Sequence, residues 1–264
     1  MSGVGSTNSG PGFAKHPGYR VAIARCPKRV RAMFAGETVV DSTAAVLVLE
    51  SRHTPVYYFP RADVRMDLLR RTDHDSYCPF KATASYWTMA VGDATAENAV
   101  WSYEDPYDEV AGLENMLGFY WDRMDGWWEE DEEIFVHPRD PHVRLDILAS
   151  RREVVVRLGG REVARSRRAR FLFETGLITR YYLPAEDVVM DLLESSDSRT
   201  ACPYKGTAHY WSARIDGTSY QDVAWSYPDP LEEAVRIKGL LCFYNDKVDE
   251  ITVDGAPAPV IRSD

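Results

Sequence analysis

One ten-residue stretch occurs twice in this chain and constrains its fold more than any other feature. It reads Cys-Pro-Phe-Lys-Ala-Thr-Ala-Ser-Tyr-Trp from Cys78 to Trp87, and Cys-Pro-Tyr-Lys-Gly-Thr-Ala-His-Tyr-Trp from Cys202 to Trp211, which is 124 positions later. The same spacing relates other residue pairs, namely Pro17/Pro141, Gly36/Gly160, Pro60/Pro184, Trp101/Trp225 and Tyr120/Tyr244. A repeat of this length is a whole domain rather than a solenoid unit, so the 264 residues predict two tandem domains.

The composition fits folded domains and argues against several classes of function. Hydrophobic residues make up 45% and charged residues 27% of the chain, which is enough apolar material for a core in each domain. A formal net charge of −10 argues against nucleic-acid binding, because that binding depends on Lys and Arg neutralising phosphates. The chain has no apolar run long enough to span a bilayer and no signal-peptide pattern. We therefore expect a cytoplasmic protein with no membrane or nucleic-acid partner.

The four cysteines are expected to be free thiols. Only Cys78 and Cys202 correspond across the repeat, whereas Cys26 and Cys242 have no cysteine counterpart. A disulfide framework would be expected to repeat with the domains, so thiols in a reducing compartment are the better interpretation. There is no C-x-x-C pair, and the copies share no histidine, so the usual ligand spacing of a structural zinc site is missing. The sequence predicts no metal site and no cofactor.

Short apolar runs separated by Gly- and Pro-containing turns predict all-β domains of the barrel or two-sheet type. The pair Gly92-Asp93 marks one hairpin turn. The alternation of apolar residues at 64, 66 and 68 predicts a strand, followed by a polar loop up to Cys78. One short helix per copy is predicted at 107–115 and at 231–238, where Asp and Pro precede apolar residues spaced by three or four.

Composition also suggests where the domains begin and end. The predicted organisation is a disordered Gly- and Ser-rich tail at 1–13, a first domain at 14–121, an acidic linker at 122–137, a second domain at 138–254 and a Pro- and Ala-rich tail at 255–264. The acid run that follows Trp127 and Trp128 is typical of a solvated segment. The two tryptophans need cover from water, so we expect them to pack on one of the domains.

Each repeated cysteine is followed three residues later by a lysine. A cation near a partly exposed thiol lowers the pKa of the thiol, so Cys78 with Lys81, and Cys202 with Lys205, could form a nucleophile. No histidine or carboxylate lies close in sequence in both copies to act as a base. The competing interpretation is that each cysteine is a small buried residue.

Repeated aromatic residues suggest a binding site. Trp87 lies on the strand that follows Cys78, and Trp101 shares a face of the next strand with Tyr103. If these strands pair as a hairpin, Trp87 and Trp101 could line one side of a sheet. Apolar walls with a few placed polar groups are typical of small-molecule sites, although Trp and Tyr also pack as ordinary core. The same set recurs at Trp211, Trp225 and Tyr227.

Three stretches of the second copy resemble a bacterial family known as domain of unknown function 427. They are the Cys-Pro-Tyr-Lys-Gly-Thr-Ala-x-Tyr-Trp stretch at 202–211, Tyr181 to Val188 and Ala224 to Pro230. The resemblance covers both copies, from about residue 14 to about residue 250, and the first copy departs from it at Phe80, Ala82 and Glu104. It implies an all-β domain of the β-tent type, in which two antiparallel sheets meet at an angle. Another β-tent group holds its ligand in an aromatic cage, and this analogy places a pocket at the repeated tryptophans.

The family also carries a nucleotidyltransferase label, which the residues do not favour. Asp63 and Asp67 on one strand would lie about 13 Å apart, too far to share one Mg²⁺, and no Gly-rich phosphate loop is present. Three hypotheses remain open: binding of a flat or heterocyclic small molecule, a nucleotide- or thiol-dependent transferase, and a structural or protein-interaction module. No catalytic residue is assigned. The candidate ligand-binding residues are Cys78, Lys81, Trp87, Trp101, Tyr103, Cys202, Lys205, Trp211, Trp225 and Tyr227.

Overall fold

The chain divides into two compact domains between Asp140 and Pro141, as described by a computed structural model of residues 8–260. Within this described part, each domain contains one seven-stranded and one four-stranded sheet. All pairs of neighbouring strands run antiparallel. The predicted fold class, all-β with two tandem domains of two antiparallel sheets each, is confirmed. No helix among residues 8–260 is long and apolar enough to cross a membrane.

The first domain begins with a short α-helix and continues as strands. Its elements are α1 (Pro11–Lys15), β1 (Val21–Arg25), β2 (Val30–Phe34), β3 (Glu37–Ser42), β4 (Val46–Glu50), β5 (Val56–Pro60), β6 (Leu69–Cys78), β7 (Ala82–Val91), β8 (Ala94–Tyr103), β9 (Met116–Phe119), β10 (Gly126–Glu129) and β11 (Glu132–Ile134). The strand order is β1-β4-β5-β9-β8-β7-β6 in the large sheet and β11-β10-β2-β3 in the small sheet.

The second domain repeats this arrangement. Its strands are β12 (Leu145–Ala149), β13 (Val154–Leu158), β14 (Arg161–Ser166), β15 (Arg170–Glu174), β16 (Arg180–Leu183), β17 (Leu193–Cys202), β18 (Gly206–Ile215), β19 (Thr218–Ser226), β20 (Leu241–Phe243), β21 (Glu250–Val253) and β22 (Ala256–Pro257). The order is β12-β15-β16-β20-β19-β18-β17 in the large sheet and β14-β13-β21-β22 in the small sheet. The topology of the duplicated domain is therefore retained.

Buried side chains lie on both faces of each large sheet, because successive residues of a strand point to opposite faces. In β5, Tyr57 and Phe59 point to a core that the large sheet shares with Val30 and Ala32 of the small sheet. Tyr58 lies between them and points to the opposite face. There it joins a second cluster of buried residues, and the candidate site lies on this second face.

Short 3-10 helices connect the strands. They lie at Arg61–Asp63, Met66–Leu68, Asp108–Leu113, Trp121–Arg123, Ala185–Asp187, Met190–Leu192 and Glu232–Ile237. The helices predicted at 107–115 and 231–238 are present as the 3-10 helices Asp108–Leu113 and Glu232–Ile237. The predicted strand at 64–69 is wrong, because two 3-10 turns occupy this part of the chain. The polar loop predicted before Cys78 is the edge strand β6, whose exposed side chains hide the alternation that normally marks a strand.

The segment predicted as an acidic linker, 122–137, is not a free linker. Its residues Gly126–Glu129 form β10, which pairs with β2 inside the small sheet of the first domain. Trp127 is only 3% exposed and stacks on Trp121 with ring centroids 4.7 Å apart. Trp127 therefore packs as expected, but as part of the first domain, which extends to Asp140.

The predicted N-terminal tail, residues 1–13, is also too long. Residues 8–13 are ordered against the turn between β6 and β7, whereas the seven residues before them lie outside the described part. The Gly12 amide donates a hydrogen bond to the Pro79 carbonyl at 2.9 Å, and the Phe13 ring packs edge-on against Phe80 at 5.1 Å. A Cβ on Gly12 would lie 2.7 Å from the Phe80 ring, so the absence of a side chain permits this close docking.

Residues 255–260 of the predicted C-terminal tail are likewise ordered. Ala256–Pro257 pairs with β21 as a short edge strand. The Asn245 side chain donates a hydrogen bond to the Pro259 carbonyl at 2.7 Å, and the Ala258 amide donates one to the Ile251 carbonyl at 2.8 Å. Residues 255–260 of the predicted tail, 255–264, therefore belong to the second domain, and its last four residues lie outside the described part of the chain.

Candidate functional site

An aromatic cavity of about 410 Å³ opens on the second face of the large sheet in the first domain. Neighbouring strands supply its walls because directly opposed residues in antiparallel strands share a face: Tyr86 in β7 pairs with Trp101 in β8. The residues that line it include Tyr58, Tyr86, Trp101, Tyr103 and Tyr120. Aromatic rings therefore form much of the cavity wall.

The Trp101 indole is held in place by two tyrosines and one glycine. Its Nε1–H donates a hydrogen bond to the Tyr58 hydroxyl at 2.8 Å, and the two rings meet edge to face. The Tyr120 ring lies 4.7 Å from it, centroid to centroid. Gly118 in β9 pairs with Trp101, and a Cβ at this glycine would lie 2.6 Å from the indole. The indole therefore rests directly on the backbone of β9.

The second domain repeats this group, but the Arg180 guanidinium, at the position of Val56, lies 5.4 Å from the centre of the Trp225 ring. The Trp225 Nε1–H donates to the Tyr182 hydroxyl at 3.1 Å, and the Tyr244 ring lies 4.4 Å from Trp225. Cys242 takes the place of Gly118 and is paired with Trp225. Its side chain occupies space that is empty of side chain in the first domain, so the two sites differ in shape beneath the indole.

A buried ion pair lies at the wall of the cavity. Lys81 follows the turn between β6 and β7, and its ammonium donates a hydrogen bond to Glu50 at the end of β4. Lys81 is 7% exposed. The second domain contains the same pair, with Lys205 Nζ 2.6 Å from Glu174 Oε2. Charged residues are rarely buried unless they are paired, so each lysine needs its glutamate.

The glutamates of these pairs were missed in the sequence analysis. Glu50 and Glu174 stand 124 positions apart, so the repeat itself carried the signal. A third partner, Tyr19, could not be found in this way because Val143 stands at the corresponding position. The Tyr19 hydroxyl donates to Glu50 Oε1 at 2.7 Å. The N-terminal segment thereby completes the wall of the first cavity.

The tight turn before the lysine fixes where the ammonium lies. The Lys81 amide donates to the Cys78 carbonyl at 3.3 Å, and the Lys205 amide donates to the Cys202 carbonyl at the same distance. The next residue needs a positive φ, which is +94° at Gly206 and +85° at Ala82. The two copies therefore build the same turn, although alanine rarely adopts this conformation.

The repeated cysteines are half-buried free thiols at the ends of β6 and β17. Cys78 lines the first cavity together with Lys81. The other two cysteines, Cys26 and Cys242, are buried in the packed interior, and burial raises the pKa of each thiol above its ordinary value, to about 12 for Cys242. All four are free thiols, as expected, and of the four the repeated pair lies nearest to solvent.

The phenols of the site remain protonated at neutral pH. Burial raises the pKa of Tyr58 and of Tyr103 well above the ordinary value for tyrosine. Burial has the same effect on the corresponding residues Tyr182 and Tyr227. A protonated phenol can donate a hydrogen bond as well as accept one, so these residues are donors at physiological pH.

Trp87 does not line the cavity, and the prediction that it shares a face with Trp101 is wrong. Trp87 pairs with Val100, so it points to the core between the sheets, where it is 3% exposed. In the second domain Trp211 pairs with Ala224 and packs against the equivalent core. The second face of the large sheet carries Trp101 and Tyr103 in the first domain, and Trp225 and Tyr227 in the second.

The repeated aspartates do not form a metal site. Asp63 accepts a hydrogen bond from the Ser42 hydroxyl at 2.5 Å, whereas Asp67 pairs with Arg65 at the surface. Among residues 8–260 there is no group of three or more His, Cys, Asp and Glu side chains placed to hold a metal ion. The aspartates act locally, at turns and in a surface ion pair.

Comparison with known proteins identifies the family. Residues 22–130 and 146–254 each match the family model described as domain of unknown function (DUF427). Comparison with curated proteins gives no match. The two matched segments fall one in each structural domain. The chain therefore belongs to the DUF427 family and carries two tandem copies of its domain.

Proposed function

We propose that this protein binds a small planar molecule against Trp101 in the first domain and against Trp225 in the second. The observation that carries the proposal is the cavity of about 410 Å³, with aromatic walls and a buried Lys–Glu pair. Small-molecule sites are typically 300–1,000 Å³ in volume, mainly apolar, and provided with a few polar groups that orient the ligand. The cavity has this volume and these orienting polar groups, and aromatic rings supply much of its lining.

The buried ion pairs add support. Replacing a buried ion pair by apolar residues is often neutral or stabilising, so a pair is weak evidence for a purely structural role. Here the pair Lys81–Glu50 recurs as Lys205–Glu174, beside the same aromatic residues. A charged pair held next to an aromatic cavity can orient the polar group of a ligand, and we assign it that role.

The other two hypotheses have less support. An interaction role for the acidic segment depended on exposed tryptophans, and Trp127 is buried in a sheet. A transferase role depended on a metal or an activated thiol, and among residues 8–260 no group of three or more His, Cys, Asp and Glu side chains is placed to hold a metal ion. Binding is therefore the function that the geometry supports best.

The proposal predicts that probe binding depends on the two site tryptophans. The probes are four bicyclic compounds of nearly equal size: indane, indan-1-one, 2-aminoindane and indane-2-carboxylate. In the double variant Trp101→Phe/Trp225→Phe, the dissociation constant of the best probe should rise roughly three- to tenfold, because aromatic contacts contribute about 0.5–1.5 kcal/mol beyond buried area. Calorimetric titration of the full chain measures this change.

The matched control is Trp87→Phe/Trp211→Phe, which makes the same substitution on the neighbouring strands, β7 and β18, on the opposite face of each large sheet. Its binding should equal that of the unaltered protein. If both double variants bind equally well, or if no probe binds in a manner that depends on Trp101 and Trp225, the proposal is wrong.

A further inference from the structure

We infer that the ligand of this cavity is a neutral planar molecule with a carbonyl group, that is, a hydrogen-bond acceptor without net charge. The inference rests on the proposed function, since it names the chemistry of the ligand for that same cavity. It follows from which polar groups at the cavity are already engaged and which are still able to bond.

The acceptor of the cavity is a carboxylate that is already hydrogen-bonded within the protein. Glu50 is the carboxylate of the site, and each of its oxygens already accepts a hydrogen bond. Oε1 accepts from the Tyr19 hydroxyl at 2.7 Å, and Oε2 accepts from the Lys81 ammonium. A carboxylate has about four lone-pair sites, so Glu50 keeps about two of them for a ligand, fewer than the donors that the cavity still offers.

Donors, in contrast, are in surplus. The Lys81 ammonium has three N–H groups and uses one of them on Glu50. The Tyr58 hydroxyl accepts from Trp101, so its own proton points elsewhere and is available to an acceptor. Tyr103 also lines the cavity, with its ring 6.0 Å from Lys81 Nζ. Its buried phenol keeps its proton at neutral pH.

The charge of the site selects a neutral ligand. The Lys81–Glu50 pair has no net charge, and both partners are shielded from water. An anion would gain from the lysine but would meet the glutamate, and a cation would compete with the lysine for the glutamate. In either case a charge would be buried without a partner of its own, which is costly. A carbonyl accepts from the surplus donors without adding charge.

The second domain offers the same donors. Lys205 is paired with Glu174 at 2.6 Å, and the Tyr182 hydroxyl accepts from Trp225 at 3.1 Å. Tyr227 is buried at the position that corresponds to Tyr103. The second domain differs in two respects: no tyrosine corresponds to Tyr19 beside Glu174, and the Arg180 guanidinium lies 5.4 Å from the centre of the Trp225 ring. The inference of a neutral ligand is therefore made for the first cavity, and the variants are made in both copies so that the second site does not mask the result.

The four probes test the inference in the full-length protein. Indan-1-one differs from indane by one carbonyl oxygen and should bind roughly three- to tenfold more tightly than indane, the effect of one net hydrogen bond. It should also bind more tightly than 2-aminoindane and indane-2-carboxylate. The ratio of the dissociation constant of indane to that of indan-1-one should fall in the variant Tyr103→Phe/Tyr227→Phe. This variant removes one hydrogen-bond donor from each site and leaves the ring in place.

Tyr77→Phe is the matched control, since this tyrosine is 60% exposed and does not line the cavity. It should leave unchanged the ratio of the dissociation constant of indane to that of indan-1-one. A second donor variant, Tyr58→Phe/Tyr182→Phe, should also lower the ratio, so the test does not depend on one substitution being tolerated. Unfolding curves identify any variant that fails to fold.

The outcomes separate the inference from the proposed function. If indane or either charged probe binds at least as tightly as indan-1-one, and this binding depends on Trp101 and Trp225, the neutral-carbonyl inference is overturned and the proposed function stands. If no probe shows such dependence, both are overturned. A ratio that falls equally in the Tyr77→Phe control also overturns the inference.

Discussion

Replacing Glu174 with glutamine is expected to destabilise the second domain by about 3–5 kcal/mol, the typical cost of breaking a buried ion pair. Glutamine has nearly the same shape as glutamate but carries no charge, so Lys205 would be left charged and buried, at 8% exposure. The free energy of unfolding falls because the unfolded chain exposes this lysine to water. Hydrogen exchange of amides in β17 and β18, compared with those of the first domain, reports the change for the affected domain.

The control for this substitution is an exposed ion pair in the same domain. Arg161 and Asp216 lie 2.6 Å apart and are more than half exposed, so Asp216→Asn should change stability by no more than about 1 kcal/mol. Removing both charges of the buried pair, as in Lys205→Met/Glu174→Leu, should recover much of the lost stability. If Glu174→Gln costs no more stability than Asp216→Asn, the Lys205–Glu174 pair is not buried in solution.

Replacing Gly118 with alanine is expected to destabilise the first domain by about 1–3 kcal/mol and to weaken probe binding there. The new Cβ would lie 2.6 Å from the Trp101 indole, far inside contact distance. The indole would have to move away from β9 and would lose its hydrogen bond to Tyr58. Chemical unfolding and probe titration measure the two effects.

The corresponding change in the second domain provides the control. Cys242 already has a side chain beneath Trp225, so Cys242→Ala introduces no overlap and should cost less than Gly118→Ala. An outcome in which Gly118→Ala leaves both stability and binding unaltered would show that the indole does not rest on β9, and the shape of the cavity would have to be revised.

The repeat predicted more of the fold than composition did. In the second copy Glu250–Val253 forms β21, and the segment 124 residues earlier, Gly126–Glu129, forms β10. The acid run at 129–133 suggested a solvated linker and obscured this correspondence. Composition was misleading because an edge of a small sheet tolerates charged residues on its exposed side.

The arrangement of the tryptophans could also have been worked out from the turn. A two-residue turn at Gly92-Asp93 pairs odd-numbered positions of one strand with even-numbered positions of the other, as in Val91 with Ala94. Trp87 and Trp101 are both odd-numbered, so they must point to opposite faces. The register shift between Trp87 and Met89 preserves this parity.

Other features of the site could not be predicted from the sequence. Glu50 ends β4 and Lys81 immediately precedes β7, 31 positions later, and only the order of strands in the large sheet brings them together. Tyr19 belongs to a segment that the repeat does not duplicate. Strand β6 is polar on both sides because it is an edge, so the sequence pattern that usually marks a strand is missing.

The most direct test of the central claim is a titration of the ¹⁵N-labelled protein with indan-1-one, followed by the indole N–H signals of its tryptophans. If the cavity on the second face of the large sheet binds planar ligands, the signals of Trp101 and Trp225 should shift with a common saturation curve, and those of Trp87 and Trp211 should not. Shifts confined to Trp87 and Trp211, or no saturable shift at Trp101 and Trp225, would contradict the claim.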